Sequence, residues 1–334
     1  MPDDPKLLKD ERKLMSFKSK ALKAAVAAIA VSALVLPTAT AANAAAPLKI
    51  CVYTHGDGGT FWSVFQKGAV AAAKSLGVKL DYQGANNDAA KQAATISAGI
   101  AAGCKGLATS VPDPAAIKTA VAAYVKKGIP VVTANSGSDV SQSLGAFTHV
   151  GQDETIAGEQ AGLKFNAMGL KHILCPIQEA ANIGLNARCK GLANTFKGKV
   201  TNFNLDGALA DLTAATQKVK AALQADSSYD GVFALNADVA AKAVLPAVQA
   251  LKAKIVIGTV DMSPEALTAI KGGTIAFAID QQQYAQGYMS VVLLYLALKN
   301  GNKLGGGQPI YTGPGFVTKA NVANVKKLVA AGTR

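Results

Sequence analysis

Residues 48–82 read LKICVYTHGDGGTFWSVFQKGAVAAAKSLGVKLDY, and this stretch decides the fold. The apolar run Leu48–Tyr53 predicts a strand, apolar residues at helical spacing over Phe61–Leu76 predict a helix, and Val78–Tyr82 predicts a second strand. Gly77 follows the last helical position, where a glycine commonly ends a helix. A strand, a helix and a second strand in this order form a βαβ unit with parallel strands.

The same alternation continues along most of the chain. Further strands are predicted at Gly106–Ser110, Ile129–Thr133, His172–Ile177, Val200–Leu205, Gly231–Leu235, Ile255–Gly258 and Ile275–Ile279. Further helices are predicted at Ala89–Ala102, Pro114–Lys127, Leu185–Phe196, Asp211–Ala225, Val239–Leu251, Pro264–Lys271 and Tyr284–Asn300. The alternation pauses at residues 144–150 and then restarts. The sequence therefore predicts an α/β fold with two similar Rossmann-like halves, each a parallel sheet covered by helices.

The composition excludes several classes of protein. The chain has 334 residues, of which 50% are hydrophobic and 16% charged, so it is neither a disordered chain nor a coiled coil. Its net charge of +13 raises the question of nucleic-acid binding. Arginine, however, occurs only at Arg12, Arg188 and Arg334, and arginine is the residue best suited to bidentate contacts with phosphates and guanines. We therefore expect no nucleic-acid partner.

Residues 1–44 resemble a secretory signal peptide. Lys18, Lys20 and Lys23 precede an apolar run over residues 24–36, which is followed by the small-residue triplet 42–44. The run is shorter than the roughly 20 residues that span a bilayer, although a short membrane anchor or a buried helix is the alternative. The acidic residues before Met15 leave open whether translation starts at Met1 or at Met15. We expect export to the periplasm.

The four cysteines fit an oxidising compartment. Cys51 lies on the first strand and Cys104 just before a later one, whereas Cys175 lies on a strand and Cys189 on the helix after it. These positions favour the pairs Cys51–Cys104 and Cys175–Cys189, although four cysteines allow three connectivities and could equally be buried thiols. No spacing typical of a zinc site occurs, and we expect no metal.

Polar residues collect at the ends of the predicted strands. In open parallel sheets, ligands bind beyond the carboxyl ends of the strands. The residues that follow strands here are 54–62, Asn135, Ser136, 178–182, Asn236, Asp238, Asp261, Asp280 and Gln281. Turn-forming Asn and Asp also end strands in proteins without a ligand, so it is the recurrence that counts. A cleft lined in this way suits a neutral, multiply hydroxylated ligand.

The glycine-rich loop after the first strand tests an enzymatic alternative. A dinucleotide site needs G-x-G-x-x-G, but the sequence from Gly56 places Phe61 where the third glycine belongs. Asp57 would also face the pyrophosphate with like charge. No nucleophile elbow and no H-E-x-x-H motif occurs, and His55, His149 and His172 are assigned no catalytic or metal role. We expect no enzyme activity and no cofactor.

Two aromatic residues and one arginine are the strongest candidates for ligand contact. Phe61 and Trp62 open the first helix, and flat aromatic faces suit the C–H faces of sugars, although at least one ring should also belong to the core. Arg188 is the one internal arginine after the signal peptide, and its planar fork suits directed hydrogen bonds, with a surface salt bridge as the alternative.

Several short motifs together resemble the type I periplasmic solute-binding proteins of sugar ABC transporters, the group of the ribose- and galactose-binding proteins. They are residues 60–64 with 67–69, 128–132 before Asn135, 151–153, 186–191, 258–261 and 279–282, and the resemblance covers roughly residues 48–325. By this likeness Phe61 and Trp62 match the pair that sandwiches the sugar ring. Hydrogen-bonding positions of the family match Asn135, Arg188, Asn236, Asp261 and Gln281. Asn135 stands where the family often has Asp, and Ser136 where ribose-type proteins have Arg, so the likeness keeps the binding class but not ribose.

The resemblance implies two lobes joined by a three-stranded hinge. It predicts a first lobe of residues 47–151 plus 281–302 and a second of 152–280 plus 308–334, with crossings near 151–153, 280–281 and 301–308. The implied function is to bind a monosaccharide or related polyol between the lobes and deliver it, as a monomer, to the ABC permease of the inner membrane. An amino acid or a furanosyl signalling molecule is the alternative ligand. A Rossmann-like enzyme and a cytosolic repressor are alternative functions, and the signal peptide counts against both.

Overall fold

The computed structural model of the protein describes residues 47–334. The predicted signal peptide and the choice between Met1 and Met15 lie outside these residues. In the described range the strands are Lys49–Thr54 (β1), Lys79–Gly84 (β2), Gly106–Thr109 (β3), Val131–Ala134 (β4), Thr148–Gly151 (β5), His172–Ile177 (β6), Lys199–Asn204 (β7), Gly231–Ala234 (β8), Val256–Val260 (β9), Phe277–Asp280 (β10), Ile310–Tyr311 (β11) and Gly315–Thr318 (β12).

Helices connect these strands and cover the sheets. In chain order they are Gly59–Leu76 (α1), Ala89–Ala101 (α2), Pro114–Lys126 (α3), Glu154–Ala167 (α4), Ile183–Thr195 (α5), Leu212–Ala225 (α6), Ala237–Val239 (α7), Leu245–Leu251 (α8), Pro264–Gly272 (α9), Gln283–Asn300 (α10) and Val322–Ala331 (α11). A π-helical turn at Ala240–Val244 joins α7 to α8. Each element predicted from the sequence is present, with boundaries within two residues of the prediction.

The strands form two six-stranded sheets. The first has the order β11-β5-β4-β3-β1-β2, and the second has the order β12-β10-β9-β8-β6-β7. All neighbouring strands are parallel except β12, which runs antiparallel to β10. We call each sheet with the helices packed on it a lobe. The predicted α/β class with two Rossmann-like, mainly parallel sheets is confirmed.

Each sheet is buried on both faces because side chains alternate along its central strands. On β1, Ile50 and Val52 pack under α1 and α10, whereas Cys51 and Tyr53 face α2 and α3. In the second lobe, α6, α8 and α9 cover one face and α4 and α5 the other. This double burial explains why the strands read as continuous apolar runs in the sequence.

The chain passes between the lobes three times. The crossings lie between β5 and α4, between β10 and α10, and between β11 and β12. The third one comes later than predicted: residues 301–308 do not cross, and residues 310–311 belong to the first sheet rather than the second lobe. The reason is that β11 pairs with β5, while Thr148 Oγ1 donates to the Gln308 carbonyl at 2.8 Å.

The predicted pause at residues 144–150 is also wrong, because Thr148–Gly151 forms β5. Thr148 and His149 make this strand look polar in the sequence. Both are buried, and His149 Nδ1 lies 2.9 Å from Thr133 Oγ1 on the neighbouring strand. Side-chain hydrogen bonds therefore hold β5 in the sheet together with the buried Val150.

Disulfides join Cys51 to Cys104 and Cys175 to Cys189, the two pairs that the sequence favours. Their Cα atoms are 5.7 and 6.1 Å apart. Each bond links a buried strand to the segment that packs against it. Within residues 47–334, no helix combines the length and the apolar composition that a membrane span requires.

Candidate functional site

A cleft opens where the carboxyl ends of the strands of both sheets face each other. It holds about 530 Å³ of space, counted out to its open mouth, and all seven residues that the sequence predicts as ligand-binding line it. They are Phe61, Trp62, Asn135, Arg188, Asn236, Asp261 and Gln281. Both lobes line the cleft because the carboxyl ends of the strands in each sheet point towards it, so the residues that follow those strands meet there.

Phe61 and Trp62 form the aromatic side of the cleft. Both lie in the first turn of α1, are 7% and 8% exposed, and have ring centroids 4.8 Å apart at an interplanar angle of 79°. Trp62 also packs edge-on against His55, with centroids 4.8 Å apart. A Cβ at Gly56 would lie 2.0 Å from Trp62 Nε1, so this position must be glycine for the ring to lie over the loop. Both rings line the cleft and both also contact the core. Because they pack edge to face against each other, they cannot sandwich a ligand ring between them, contrary to what the family resemblance implies.

Asn135, Gln281 and Asp261 form a line of hydrogen bonds across the base of the cleft. Asn135 Nδ2 donates to Gln281 Oε1 at 3.3 Å, and Gln281 Nε2 donates to Asp261 Oδ1 at 2.6 Å. Asn135 and Asp261 have φ values of 63° and 69°, a conformation that Asn and Asp tolerate better than most residues. At these two positions the turn-forming role and the cleft-lining role therefore coincide.

Asp261 is the most perturbed acid in the cleft. Burial raises its pKa to about 7, although the positive charge of Arg188 and the hydrogen bond from Gln281 act in the opposite direction. Its side chain is 4% exposed, and only one of its oxygens accepts a hydrogen bond from a described residue. The second oxygen is free to accept from a ligand hydroxyl.

Arg188 lies in a buried ion pair, so the alternative of a surface salt bridge is wrong. Its Nε and Nη2 atoms donate to the two carboxylate oxygens of Glu154, and Nη1 donates to the Leu235 carbonyl at 3.0 Å. Burial lowers the pKa of Arg188, but the charge and hydrogen bond of Glu154, with the charges of Asp261 and Glu179, together raise it above the ordinary value. The guanidinium is thus a fixed, fully charged donor at the wall of the cleft.

Asn236 lies at the start of α7 and caps it. Its Oδ1 accepts from the backbone N–H groups of Asp238 at 2.8 Å and Val239 at 3.2 Å. This is the usual role of an Asn at a helix N-terminus. Its Nδ2 group makes no hydrogen bond to a described residue, which leaves it available as a donor to a ligand.

Direct contacts join the two lobes at the rim of the cleft. Thr60 Oγ1 donates to Asp238 Oδ2 at 3.0 Å, Ser136 Oγ donates to Asn182 Oδ1 at 2.7 Å, and the Ile183 N–H donates to the Pro112 carbonyl at 3.0 Å. His55 Nε2 lies 3.6 Å from Glu179 Oε2. The sequence places most of these residues at strand ends, but nothing in it indicates that they pair across the cleft.

His55 and three leucines line the cleft without having been predicted as site residues. Burial lowers the pKa of His55, against the opposing charge of Glu179, and Ser110 Oγ lies 2.7 Å from its Nδ1. Leu185, Leu209 and Leu235 form an apolar wall from the second lobe. A leucine has no chemical signature of ligand contact, so sequence reasoning could not single out these three. Among residues 47–334, one group of three possible metal ligands occurs, Cys51, Asp81 and Cys104, and its cysteines form a disulfide.

The comparisons with known proteins agree on one family. A family model described as "Periplasmic binding protein domain" matches residues 50–303. The ribose import binding protein of Haemophilus influenzae is 29% identical over 273 residues, which cover 80% of this chain and 91% of that protein. The D-galactose/methyl-galactoside binding periplasmic protein of the same organism is 27% identical over 81% of this chain and 87% of its own length.

One solved structure is considerably more similar in sequence. A carbohydrate transporter from Acidothermus cellulolyticus, crystallised in complex with myo-inositol, is 39% identical, superposes with a TM-score of 0.82, and covers 86% of this chain and 100% of its own. The chain therefore belongs to the periplasmic binding protein family.

Proposed function

We propose that this protein is the solute-binding component of an ABC importer and that it binds an uncharged, cyclic, polyhydroxylated solute, a monosaccharide or a related polyol. The observation that carries the proposal is the convergence of seven predicted residues, five polar and two aromatic, on one cleft between the lobes. The curated relatives are ribose and galactose binding proteins, which supports the same class of ligand.

Within this class we favour a cyclitol or a hexose over ribose. The relative with 39% identity was crystallised with myo-inositol. At the end of β4 this chain has Asn135 and Ser136, and Ser136 donates its hydroxyl to Asn182 of the other lobe rather than to the cleft. An amino acid is a poorer candidate because Arg188, the guanidinium that could clamp its carboxylate, already holds Glu154.

The proposed mechanism is capture by closure of the lobes. A ring would stack on one of the two aromatic residues, Phe61 or Trp62, and contact the other with its edge, because their planes are nearly perpendicular. Its hydroxyls would bond to Asn135, Asp261 and Arg188. The second lobe gains these contacts only when ligand is present, so ligand shifts the population towards the closed form through motion at the three crossings. No bond is made or broken in this scheme, and it requires no cofactor or metal.

The same proposal includes the cellular localisation of the protein and its protein partner. An N-terminal signal peptide would export it to the periplasm, where disulfides persist. The closed monomer would then dock on an ABC permease in the inner membrane and release the solute. The positive charge of the chain belongs to a solvated surface and does not form a nucleic-acid site.

The test is a binding titration that uses the fluorescence of Trp62, the single tryptophan of the sequence. The purified protein is titrated with myo-inositol, D-galactose, D-glucose, D-ribose and L-leucine, and binding is checked by thermal shift. We expect a dissociation constant of about 1 μM or lower for at least one sugar or polyol, equivalent to about −8 kcal/mol. The solute should be recovered chemically unchanged.

A matched pair of variants distinguishes the loss of a side-chain contact in the cleft from the effect that an Asn→Gly substitution has on the backbone. Asn135→Gly removes the amide from the cleft but keeps the left-handed conformation, and we expect about tenfold weaker binding. Asn86→Gly makes the same change at an exposed residue with φ of 55° away from the cleft, and binding should be unchanged. Binding of L-leucine alone, or turnover of any solute, would contradict the proposal.

A further inference from the structure

The ion pair between Arg188 and Glu154 is the most completely formed polar contact at the cleft. Three of the five N–H donors of the guanidinium are occupied, two by the carboxylate of Glu154 and one by the Leu235 carbonyl. Gln152 Nε2 donates at 2.8 Å to Glu154 Oε2, the same oxygen that accepts from Arg188 Nε, and helps to fix the carboxylate. The side chains of Arg188 and Glu154 are 4% and 7% exposed, so water screens this pair poorly.

Glu154 lies behind Arg188 and does not itself line the cleft. It is the first residue of α4 and borders a separate, smaller crevice together with Gly184 and Ala187. Arg188 does line the cleft, and two of its N–H donors have no acceptor among residues 47–334. The arginine therefore offers the cleft two hydrogen-bond donors while its charge is balanced from behind.

The remaining charges at the cleft are negative. Glu179 and Asp238 line it, together with Asp261, which is partly protonated near neutral pH because burial raises its pKa to about 7. Arg188 is the one lysine or arginine that lines the cleft in the described part of the chain. Asp238 has its own partner in Lys242, with Oδ1 and Nζ 2.9 Å apart. A ligand carboxylate would therefore meet an arginine that is already neutralised, next to carboxylates of like charge.

We propose that Glu154 sets the charge selectivity of the cleft: by neutralising Arg188 from behind, it makes the guanidinium a donor to uncharged hydroxyl groups and excludes solutes that carry a carboxylate. Glu154 is thus a positioning residue that acts through Arg188. This inference rests on the proposed function, since it specifies which polyhydroxylated solutes the same cleft accepts. The substrate class is neutral sugars and cyclitols, to the exclusion of uronates and carboxylated cyclitols.

The first arm of the test compares neutral ligands with carboxylated counterparts; the two hexose pairs differ only in the oxidation of the terminal CH₂OH group, and the cyclitol pair differs also in the number of hydroxyl groups. Isothermal titration calorimetry is run on the wild-type protein with D-galactose and D-galacturonate, D-glucose and D-glucuronate, and myo-inositol and quinate. For each neutral member that binds, we expect the carboxylated member to bind about 100-fold more weakly. Equal affinity within a pair would overturn this inference and leave the proposed function standing, whereas binding of no neutral solute would overturn both.

The second arm removes the negative charge that balances Arg188 without changing a residue that lines the cleft. In Glu154→Gln the guanidinium keeps its place but loses its balancing charge. The ratio of the affinity for the neutral ligand to that for the carboxylated ligand should therefore fall by about tenfold. If Glu154 had a purely structural role, the substitution would lower the affinity for both ligands equally and leave their ratio unchanged. Glu159→Gln is the matched control: it removes the same charge from the same helix, where Glu159 accepts from Asn194 instead, and its ratio should equal that of the wild type.

A double variant keeps the test decisive if Glu154→Gln does not fold. Combining Glu154→Gln with Arg188→Gln removes both charges and leaves the net charge of the site unchanged. The ratio should then stay within about threefold of the wild-type value, because the remaining acids still repel a carboxylate. A change of about tenfold or more in the double variant, or an unchanged ratio in a folded Glu154→Gln protein, would refute the role of Glu154.

Discussion

At the scale of single residues, Asp261 carries the clearest dependence on pH. Its pKa is raised to about 7, chiefly by burial, whereas a carboxyl group in the unfolded chain titrates near 4. Between these values the folded protein binds the proton that the unfolded chain has lost. The contribution of Asp261 to the free energy of unfolding is therefore present below about pH 4, falls as the pH rises towards about 7, and is constant above that.

The variant Asp261→Asn isolates this effect because it has nearly the same shape and does not titrate. We expect the free energy of unfolding of the wild type, relative to that of the variant, to fall by up to about 1.4 kcal/mol per pH unit between about pH 4 and pH 7. Urea unfolding of both proteins at several pH values measures the difference. A difference that stays constant over this range would show that the carboxyl group of Asp261 titrates normally in the folded protein.

Residues also show how one position serves two purposes. Asn135 and Asp261 have positive φ values at strand ends and also line the cleft, while Asn236 caps α7 and lines it too. Sequence reasoning treats the turn or cap and the ligand contact as alternatives. In the structure they are compatible, because a strand tip is both where the chain must turn and where the lobes meet.

At the scale of elements, the crossing of α1 and α10 depends on two glycines. A Cβ at Gly68 would lie 2.1 Å from the Tyr284 carbonyl oxygen, and a Cβ at Gly287 would lie 2.0 Å from that of Phe65. The backbones of the two helices are thus too close for any larger side chain. The pair of helices covers one face of the first sheet, so a displacement would be transmitted to α1 and its aromatic residues.

We therefore expect Gly68→Val to lower the free energy of unfolding by about 1–3 kcal/mol or more, through forced separation of the helices. Gly272→Ala is the control, because no atom lies within 4 Å of its added Cβ and the last turn of α9 gains a better helix former. Thermal or urea unfolding of the two variants measures the contrast. If Gly68→Val were as stable as Gly272→Ala, the close approach of the helices would not be required for the fold.

The two disulfides should differ in their effect because they close chain segments of different length. Cys51 and Cys104 are 53 residues apart, and Cys175 and Cys189 only 14. In the chain-entropy account, closing the longer loop lowers the entropy of the unfolded chain more. For these two loop lengths, the difference in the free energy of unfolding is about 1 kcal/mol. Replacing Cys51 and Cys104 by alanine should therefore destabilise the protein more than replacing Cys175 and Cys189. Urea unfolding of both double variants measures the difference. Equal decreases in the free energy of unfolding, or a larger decrease for the Cys175–Cys189 pair, would contradict this prediction.

At the scale of the whole molecule, hydrogen bonds at the rim of the cleft connect the two lobes directly. The Thr60–Asp238 and Ser136–Asn182 bonds both run from the first lobe to the second. Because they form only when the lobes approach, they stabilise the closed arrangement relative to an open one. Their free energy adds to that of the ligand contacts, so a bond at the rim should influence the apparent affinity for solute.

Thr60→Val removes the hydroxyl of one rim bond and keeps the shape of the side chain. A lost hydrogen bond of about 0.5–1.5 kcal/mol predicts an affinity about two- to tenfold weaker. Small-angle X-ray scattering of the ligand-free variant should also show a larger radius of gyration, as the population shifts towards open forms. Thr268→Val, an exposed residue that bonds within α9, is the control and should change neither quantity. An unchanged affinity and radius of gyration in Thr60→Val would show that this bond does not stabilise the closed arrangement of the lobes.

The sequence by itself determines the class of the fold and identifies part of the lining of the cleft. Alternating apolar strands and amphipathic helices require parallel sheets, and the positions after the strands identify residues such as Trp62 and Gln281, because both properties follow from local order along the chain. It does not reveal β5 or the third crossing, since Thr148 and residues 310–311 acquire their role only by pairing with a distant strand. Nor does it reveal that Glu154 balances Arg188, or that Thr60 meets Asp238. These contacts join residues 34 and 178 positions apart, and the folded arrangement of the two lobes alone brings such residues within hydrogen-bond distance.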